Sequence, residues 1–116
     1  MIKNKLIYVA HPYAGKEANK YSIDTIMENL VLLDKNNTYL SPLHNFSMLY
    51  FDTQYSKGLK ICLDMLNKCD ALVLCGDWET SKGCIGEWSF AIAKGMPIYT
   101  WKDWTDKLKE QGDNSR

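Results

Sequence analysis

The sequence predicts a single α/β domain with an open parallel sheet of about four strands and helices on both faces, a Rossmann- or flavodoxin-like architecture. Its length of 116 residues suits one domain with its own core. Short apolar runs alternate with longer segments of helical periodicity along the chain. These runs are continuously apolar rather than alternating, which is typical of parallel strands that are covered on both faces.

The charge balance narrows the possible partners. The chain carries 14 Lys+Arg and 14 Asp+Glu, a formal net charge of zero. A general nucleic-acid surface needs a basic excess, so we expect no nucleic-acid polymer as partner, although a local basic pocket for a small anion remains open. No apolar segment approaches the roughly 18–20 residues of a membrane span, and the apolar run near the N-terminus is too short for a signal peptide. We therefore expect a cytoplasmic protein without a membrane partner.

The cysteines and histidines favour neither disulfides nor a metal site. The sequence contains four cysteines, none of them in a C-x-x-C pair: Cys62, Cys69, Cys75 and Cys84. We interpret them as reduced and mostly buried thiols. Because the two histidines have no Cys or Asp at ligand spacing, we expect no zinc site, and we expect no cofactor.

The first half of the chain predicts two strands around a helix. Leu6–Ala10 is a short apolar strand, and the following loop, His11–Glu17, contains a proline and a glycine. Apolar residues at helical spacing predict a helix over Ala18–Asp34. Thr38–Ser41 is a short second strand, ended by Pro42.

The next part begins with a mixed, aromatic segment, Leu43–Ser56, which we interpret as loop with one turn of helix. An amphipathic helix follows, marked by Leu59, Cys62, Leu63 and Leu66. Ala71–Cys75 is a third buried strand, closed by Gly76. A further helix begins between Ser81 and Cys84 and runs to Lys94, because Gly95 and Pro97 stop it.

The end of the chain predicts a fourth strand, Ile98–Trp101, and a short helix, Asp103–Glu110. We therefore assign the domain to residues 1–110 and a polar tail to residues 111–116. The order β-α-β-α-β-α-β-α predicts parallel strands joined by right-handed crossovers. Ligands of such sheets bind at the carboxyl ends of the strands, which places the loops His11–Glu17, Pro42–Ser56 and Gly76–Gly83 at the expected site.

The most informative segment is the third strand with the loop and helix that follow it. Its helix begins near Ser81 and offers backbone N–H groups that suit an anion. Glu87 lies in an apolar neighbourhood within the first or second turn. Two interpretations are open from the residues: Glu87 is a reactive carboxylate, or it is a first-turn acid that complements the helix dipole while Ser81 is a simple N-cap.

Several motifs together resemble the nucleoside 2-deoxyribosyltransferase-like superfamily. They are Ile7-Tyr8-Val9-Ala10-x-Pro12-Tyr13, Leu40-Ser41-Pro42-Leu43, Ser81-x-Gly83-x-x-x-Glu87 and the helix end Lys94-Gly95-Met96-Pro97-Ile98. The resemblance covers residues 6–99 approximately. It is greatest to a short branch of bacteria and phages in which a Gly-x-Trp-Glu-x-Ser-x-Gly stretch precedes the glutamate, as it does here from Gly76 to Gly83.

The resemblance implies an N-glycosyl transferase or hydrolase that acts on a nucleoside or its 5′-monophosphate. Glu87 matches the nucleophile that attacks the anomeric carbon and forms a covalent glycosyl intermediate. Tyr8 matches a residue that orients this carboxylate, and Asp77 lies where family members place an acid that contacts the leaving base. The sugar then passes to a second base or to water.

The binding residues implied by the resemblance surround these three. They are His11, Pro12, Tyr13, Ser41, His44, Trp78, Ser81 and Gly83. A serine at position 81, rather than the aspartate of true nucleoside transferases, resembles the members that act on monophosphates, because a hydroxyl accommodates phosphate where a carboxylate repels it. Lys16 and Lys82 add positive charge. His11 departs from the small residue of many relatives, which either narrows the pocket or indicates a different ligand.

Catalysis is the leading hypothesis, and a non-catalytic module that binds a nucleotide or a nucleotide-derived signal is the alternative. Ligand-induced thermal stabilisation without turnover would indicate the alternative. Aromatic residues in the Pro42–Tyr55 stretch predict a homodimer or larger homo-oligomer. The resemblance implies the same, because relatives generally form such assemblies. Trp88 is interpreted as a packing residue, whereas for Trp78 packing and base stacking are both open.

Overall fold

A computed structural model describes residues 4–12, 17–42 and 55–114 of the chain. We number the strands β1–β4 and the helices α1–α4 in chain order. They are β1 Leu6–Ala10, α1 Glu17–Leu33, β2 Thr38–Leu40, α2 Tyr55–Asn67, β3 Ala71–Leu74, a short 3-10 helix Trp78–Thr80, α3 Lys82–Lys94, β4 Ile98–Thr100 and α4 Trp101–Asn114.

The four strands form one parallel sheet in the order β2-β1-β3-β4. β1 is central: its Tyr8 lies opposite Leu40 of β2 and Leu72 of β3. From β1 the chain goes first to β2, on one side of β1, and then crosses to β3, on the other side. The direction in which strands are added therefore reverses between β1 and β3. The predicted α/β fold with a four-stranded parallel sheet is confirmed, and the crevice beyond the carboxyl ends of β1 and β3 is where such sheets bind ligands.

Helices cover both faces of the sheet, and each layer has its own core. On one face, α1 and α4 pack against alternate strand residues; this layer includes Ile7, Val9, Ile23, Leu30, Val73, Trp104 and Leu108. On the other face lie α2 and α3; this layer includes Tyr8, Ala10, Cys62, Leu66, Leu72, Leu74, Cys84 and Ala91. Because successive strand residues point to opposite faces, the adjacent residues Ile7 and Tyr8 belong to different layers.

Strand burial follows position in the sheet. Every residue of β3 and four of the five in β1 are buried, whereas β2 and β4 at the edges are half-buried or exposed. The expectation of strands covered on both faces therefore holds for the two central strands, and the edge strands are less covered. An edge strand has a sheet neighbour on one side alone, so more of its surface meets water.

The ends of α3 agree with the residues that predicted them. Ser81 is the N-cap, and its Oγ accepts a hydrogen bond of 3.2 Å from the Cys84 amide. Gly95 ends the helix in the left-handed conformation (φ 76°), and its amide donates to the carbonyls of Ala91 and Ile92. Glycine adopts this conformation without the steric cost that a Cβ adds.

The last helix differs from its prediction at both ends. It begins at Trp101, which the sequence placed in the fourth strand, and it runs to Asn114, beyond the expected end at Glu110. Thr100 Oγ1 accepts a hydrogen bond of 3.2 Å from the Asp103 amide, which satisfies a donor of the first turn. The threonine cap therefore starts the helix earlier than its apolar pattern indicates.

All four cysteines are buried thiols, as predicted, and none forms a disulfide. Among the described residues, no helix combines the length and apolar character that crossing a bilayer requires. Tyr13, Lys16, His44 and most of the aromatic Pro42–Tyr55 stretch lie outside the described residues.

Candidate active site

A buried hydrogen bond joins Tyr8 to Glu87. Tyr8 lies in the central strand β1 and is fully buried, and Glu87 lies in the second turn of α3 and is 5 % exposed. The Tyr8 hydroxyl donates to Glu87 Oε2. The interpretation of Glu87 as a first-turn acid that serves the helix dipole is therefore wrong, because the carboxyl lies below the first turn and is removed from water.

Burial controls the protonation of this pair. Loss of solvent disfavours the charged carboxylate and raises the pKa of Glu87 to about 7, and the hydrogen bond from Tyr8 opposes that rise. Burial, followed by the nearby Glu87 carboxylate, raises the pKa of Tyr8 far above its usual value, so Tyr8 remains a neutral donor. Near neutral pH the Glu87 carboxyl consequently populates both of its protonation states.

Two thiols complete the surroundings of this pair. Cys62, from α2, is a neighbour that contributes to the raised pKa of Tyr8. Cys84 lies one turn before Glu87 on α3, and burial followed by the Glu87 carboxylate raises the pKa of its thiol to about 12. The Cys84 thiol is therefore neutral at physiological pH and brings no charge to the carboxyl. The place of Cys62 on the apolar stripe of a predicted helix indicated that it would face the sheet, but no sequence motif marked it as part of the site.

The loop between β3 and α3 approaches this pair from the carboxyl edge of the sheet. It begins at Gly76, whose φ of 61° places it in the left-handed region. The Asp77 carbonyl accepts hydrogen bonds from the Thr80 amide (3.0 Å) and Thr80 Oγ1 (2.7 Å), which fold the short 3-10 helix. The Asp77 side chain does not cap that helix and is exposed. A carboxylate at the mouth of the loop is thus left available to a ligand.

The start of α3 supplies hydrogen-bond donors. Ser81 accepts from the Cys84 amide, and the proton of its own hydroxyl is then directed elsewhere. Lys82 is exposed, and Gly83 is half-buried. Ser81 precedes Glu87 by six residues, which corresponds to about 9 Å along the helix axis. The helix N-terminus and the buried carboxyl are therefore near enough to contact two parts of one small molecule.

His11 lies at the carboxyl end of β1, beside Gly76. Its Nδ1 donates to the Pro12 carbonyl (2.6 Å), since a carbonyl can only accept, and its Nε2 lies 3.0 Å from Ser22 Oγ. A Cβ at Gly76 would lie 2.9 Å from Nε2, closer than such contacts allow. The imidazole is therefore held in one place between the ends of β1 and β3, and it needs a glycine opposite. Ser41 and Pro42, at the end of β2, are both buried.

The tryptophans of the loop and helix pack together. The rings of Trp78 and Trp88 lie 5.9 Å apart between centroids with a 41° tilt, and both pack against the α2/α3 core. This contact agrees with the packing role expected of Trp88. Trp78 is half-buried, so part of its ring remains accessible to a ligand.

The structure thus brings Tyr8 into contact with Glu87 and His11 against Gly76, while Ser81 caps the helix that carries Glu87. No hydrogen bond joins the Asp77 carboxylate to Glu87 or Tyr8 within the described part of the chain. In the same part, no three His, Cys, Asp or Glu residues are grouped as a metal site would require.

Two solved structures define the class of fold. The 2-deoxyribosyltransferase of the psychrotolerant bacterium Bacillus psychrosaccharolyticus superposes with a TM-score of 0.62 at 20% identity, covering 82% of this chain and 70% of that one. A conserved protein from Enterococcus faecalis V583 superposes with a TM-score of 0.65 at 21% identity, covering 84% of this chain and 62% of that one. The protein therefore has a nucleoside deoxyribosyltransferase-like fold, as its motifs indicated, and spans less than two thirds of the Enterococcus protein.

The family match identifies the chain more closely. Residues 5–100 match the family described as domain of unknown function, DUF4406. That range holds all four strands and the complete Tyr8–Glu87 pair. The chain belongs to this family. No curated protein matches it in sequence.

Proposed function

We propose that this protein is an N-glycosyl transferase or hydrolase that acts on a nucleoside or a nucleoside 5′-monophosphate, with Glu87 as nucleophile. The observation that carries the proposal is the buried Glu87 carboxyl held by the Tyr8 hydroxyl. The deoxyribosyltransferase-like fold supports the same chemistry, because such sheets bind ligands beyond the carboxyl ends of β1 and β3, and the pair joins β1 to the helix that follows β3.

In the first step a Glu87 carboxylate oxygen attacks the anomeric carbon of the sugar. A C–O bond forms as the C–N glycosidic bond breaks, and its electron pair leaves with the nucleobase, which takes up a proton. We assign delivery of this proton to Asp77, whose side chain is exposed at the loop mouth. Water or a second base then attacks the same carbon and releases Glu87 as carboxylate, which balances the reaction.

The Tyr8 hydroxyl orients the nucleophile and restrains its basicity. A neutral donor to Oε2 favours the ionised carboxyl, which is the form that attacks. Since burial raises the pKa of Glu87 to about 7, we expect kcat/KM to increase with pH through that region. The same burial keeps the carboxylate poorly solvated, which makes it a better nucleophile.

The start of α3 favours a monophosphate among the possible substrates. Backbone N–H groups, the Ser81 hydroxyl and Lys82 would contact the phosphate, and Glu87 would contact the sugar. His11, Pro12, Ser41, Trp78 and Gly83 remain predicted binding residues around them, as do Tyr13 and His44. A metal or cofactor has no step in this reaction.

The test is release of free base from nucleosides and their 5′-monophosphates, with and without a second base, measured by chromatography. Glu87→Gln keeps the size of the side chain and an acceptor for Tyr8 but removes the nucleophile, so we expect at least about a thousandfold loss of kcat/KM. Glu79→Gln, at an exposed position of the short 3-10 helix before α3, is the matched control and should retain activity.

Two outcomes would contradict the proposed reaction. If no nucleoside or nucleotide releases base, and Glu87→Gln behaves like the wild type, the proposed reaction is wrong. If a nucleotide raises the melting temperature of both proteins without turnover, the protein is a binding module on the same fold.

We also propose that the protein works as a homo-oligomer in the cytoplasm. Large apolar side chains on α1 support an interface: Tyr21, Val31 and Leu32 are 76%, 62% and 73% exposed. Four buried thiols support a reducing compartment. Elution as a monomer at micromolar concentration would contradict the oligomer.

A further inference from the structure

We propose that the His11 imidazole is a wall of the substrate crevice that excludes the second ring of a purine, and that Ser22 is the positioning residue that holds this wall. The preferred substrates are then those whose base is a pyrimidine. This preference deepens the proposed function and, for turnover, rests on it. Nucleotide binding and the tautomer of His11 test the wall independently of any reaction.

His11 lies directly beyond the carboxyl ends of the two central strands. It follows Ala10, the last residue of β1, whose carbonyl accepts a hydrogen bond of 2.9 Å from the amide of Cys75, the residue after β3. The imidazole lies over the next residue, Gly76: a Cβ there would be 2.9 Å from Nε2 and 3.3 Å from both Cδ2 and Cε1. The ring therefore occupies space between the strand ends, where sheets of this order bind ligands.

The ring is held on several sides. Nδ1 donates to the Pro12 carbonyl (2.6 Å), so Nε2 carries the lone pair in the neutral imidazole. The Ser22 hydroxyl, 3.0 Å from Nε2, must then be the donor of that hydrogen bond. Gly76 lies against the same nitrogen. Because both nitrogens are engaged within the protein, the neutral ring offers a ligand its shape and no free N–H group.

The wall and the proposed nucleophile lie on opposite sides of the crevice. Ser22 belongs to α1, which packs on one face of the sheet, and Glu87 belongs to α3, which packs on the other. In the proposed reaction Glu87 contacts the sugar, and Asp77 contacts the leaving base. Since Asp77 directly follows Gly76, an imidazole that lies over Gly76 is on the base's side of the site.

The size of the imidazole determines what it excludes. A purine is a pyrimidine fused to an imidazole ring, so a purine substrate needs additional space for one five-membered ring. The His11 side chain ends in a ring of that size, held by Ser22 and by the Pro12 carbonyl. Displacing it would break both hydrogen bonds, and the tight contact with Gly76 leaves no room on that side. A pyrimidine therefore fits beside His11, whereas a purine collides with it.

The test compares 2′-deoxycytidine with 2′-deoxyadenosine, each with and without a 5′-phosphate, because both bases carry an exocyclic amino group and differ in the second ring. The measurements are kcat/KM for base release and Kd by titration calorimetry. We expect the wild type to prefer the cytosine compounds by at least about tenfold. His11→Ala should abolish this preference, chiefly through a lower KM or Kd for the adenine compounds. His11→Phe keeps a ring without nitrogen atoms and should retain the preference.

The role of Ser22 is measured on the imidazole itself. ¹⁵N NMR above the pH range in which histidine changes charge should show His11 protonated at Nδ1, with its signals assigned by their loss in His11→Phe. Ser22→Ala should give a mixture of both tautomers and a smaller pyrimidine preference, and Ser22→Thr, which keeps the hydroxyl, should restore both. Thr25→Ala is the matched control and should change neither, because the Thr25 hydroxyl on the same helix donates to the Tyr21 carbonyl (3.1 Å).

The outcomes separate the wall from the proposed reaction. A wild type without a pyrimidine preference, or a folded His11→Ala variant that retains it, overturns the wall. His11→Asn, whose shorter side chain keeps a donor for the Pro12 carbonyl, replaces the alanine variant if that one fails to fold. An unchanged tautomer in Ser22→Ala contradicts the role of Ser22.

Two further outcomes concern both proposals. Pyrimidine-selective binding without release of base supports the wall and contradicts the proposed reaction. Release of base from the cytosine and adenine compounds with equal kcat/KM supports the reaction and overturns the wall. If none of the four compounds binds or releases base, both proposals are wrong.

Discussion

Two buried carboxylates, each held by a tyrosine, lie at opposite ends of the same sheet. Glu87 lies toward the carboxyl edge and Asp34 at the amino edge, and each is 5% exposed. Asp34 accepts three hydrogen bonds: from the Asn36 amide (2.8 Å), Asn37 Nδ2 (2.8 Å) and the Tyr39 hydroxyl (2.6 Å). Within the described part of the chain, Tyr8 is the single donor to Glu87.

The partners of Asp34 tie three elements together. Tyr39, in β2, donates to Asp34 at the end of α1 and accepts a hydrogen bond of 2.9 Å from Trp104 Nε1 of α4. The Tyr39 and Trp104 rings also meet edge to face, with centroids 6.4 Å apart. Burial, followed by its hydrogen bond to Asp34, raises the pKa of Tyr39, so it stays a neutral donor.

Glu87 and Asp34 are equally buried, but they differ in the number of hydrogen-bond donors that contact their carboxyl oxygens. A buried charge is stable when donors surround it, and Asp34 meets that condition. Glu87 has lost its water and gained one donor, so its ionised form remains high in free energy and its pKa rises to about 7. We interpret Asp34 as a structural carboxylate and Glu87 as a reactive one.

The largest effect on stability is expected at the amino edge. Asp34→Asn replaces an acceptor of three hydrogen bonds with an amide whose NH₂ group faces other donors. We expect a loss of about 2–4 kcal/mol in the free energy of unfolding, measured by urea denaturation. The matched control is Asp64→Asn on exposed α2, which breaks an i,i+4 pair with Lys60 and should cost about 0.5 kcal/mol or less. Equal losses in both variants would contradict the structural role of Asp34.

Substitution of Glu87 is expected to increase the free energy of unfolding, whereas substitution of Asp34 decreases it. Its pKa rises from 4.5 unfolded to about 7 folded, so between these pH values the folded state holds a proton that the unfolded state has lost. The stability of the wild type should therefore fall as pH increases through this window and then level off. Glu87→Gln lacks the ionisable group. Its free energy of unfolding should therefore equal that of the wild type below this pH window and exceed it by about 1–3 kcal/mol above the window.

Urea denaturation of both proteins at several pH values measures this difference. An advantage of Glu87→Gln that does not depend on pH would indicate altered packing instead of ionisation. If Glu87→Gln is less stable than the wild type above the window, the carboxylate is better satisfied than the described contacts indicate.

The smallest effect on the free energy of unfolding is expected at two glycines with positive φ, one at the carboxyl edge of the sheet and one at the amino edge. Gly76 (φ 61°) faces His11 at 2.9 Å from a notional Cβ, whereas Gly95 (φ 76°) has nothing within 4 Å of one. Gly95→Ala should cost about 1 kcal/mol from the backbone alone. Gly76→Ala should cost about 1 kcal/mol more, because the imidazole must leave its bonds to Pro12 and Ser22. Equal losses in the free energy of unfolding of the two variants would show that His11 moves away from the new Cβ without strain.

The elements that carry a local sequence signal agree well with their predictions. β1 agrees with its predicted range, and α3 begins after the capping Ser81 and ends at Gly95 as predicted. The start of α4 was wrong because the cap, Thr100, lies inside an apolar run that indicated strand. The lower burial of the edge strands was not predicted, since the composition of a strand does not state whether it has two neighbours.

The site was harder to predict than the elements. Glu87 was noticed because it interrupts an apolar stretch after a buried strand, and the resemblance named Tyr8 as its partner. The nearness of Cys62 to Tyr8 and the hydrogen bond between His11 and Ser22 carried no local signal, because each joins residues from different elements. The structural role of Asp34 was missed for the same reason: a C-terminal helix acid resembles many exposed ones.

The sequence by itself determined the alternation of strands and helices, and hence the parallel sheet, because burial on both faces requires continuous apolar runs and helical periodicity is local. Only the tertiary structure decided which carboxylate would be satisfied and which would not. That outcome depends on the strand order β2-β1-β3-β4, which brings Tyr8 beneath α3 and Tyr39 beside α1. Desolvation and the number of donors are properties of the assembled layers, and they distinguish Glu87, the proposed nucleophile, from Asp34, whose oxygens accept three hydrogen bonds.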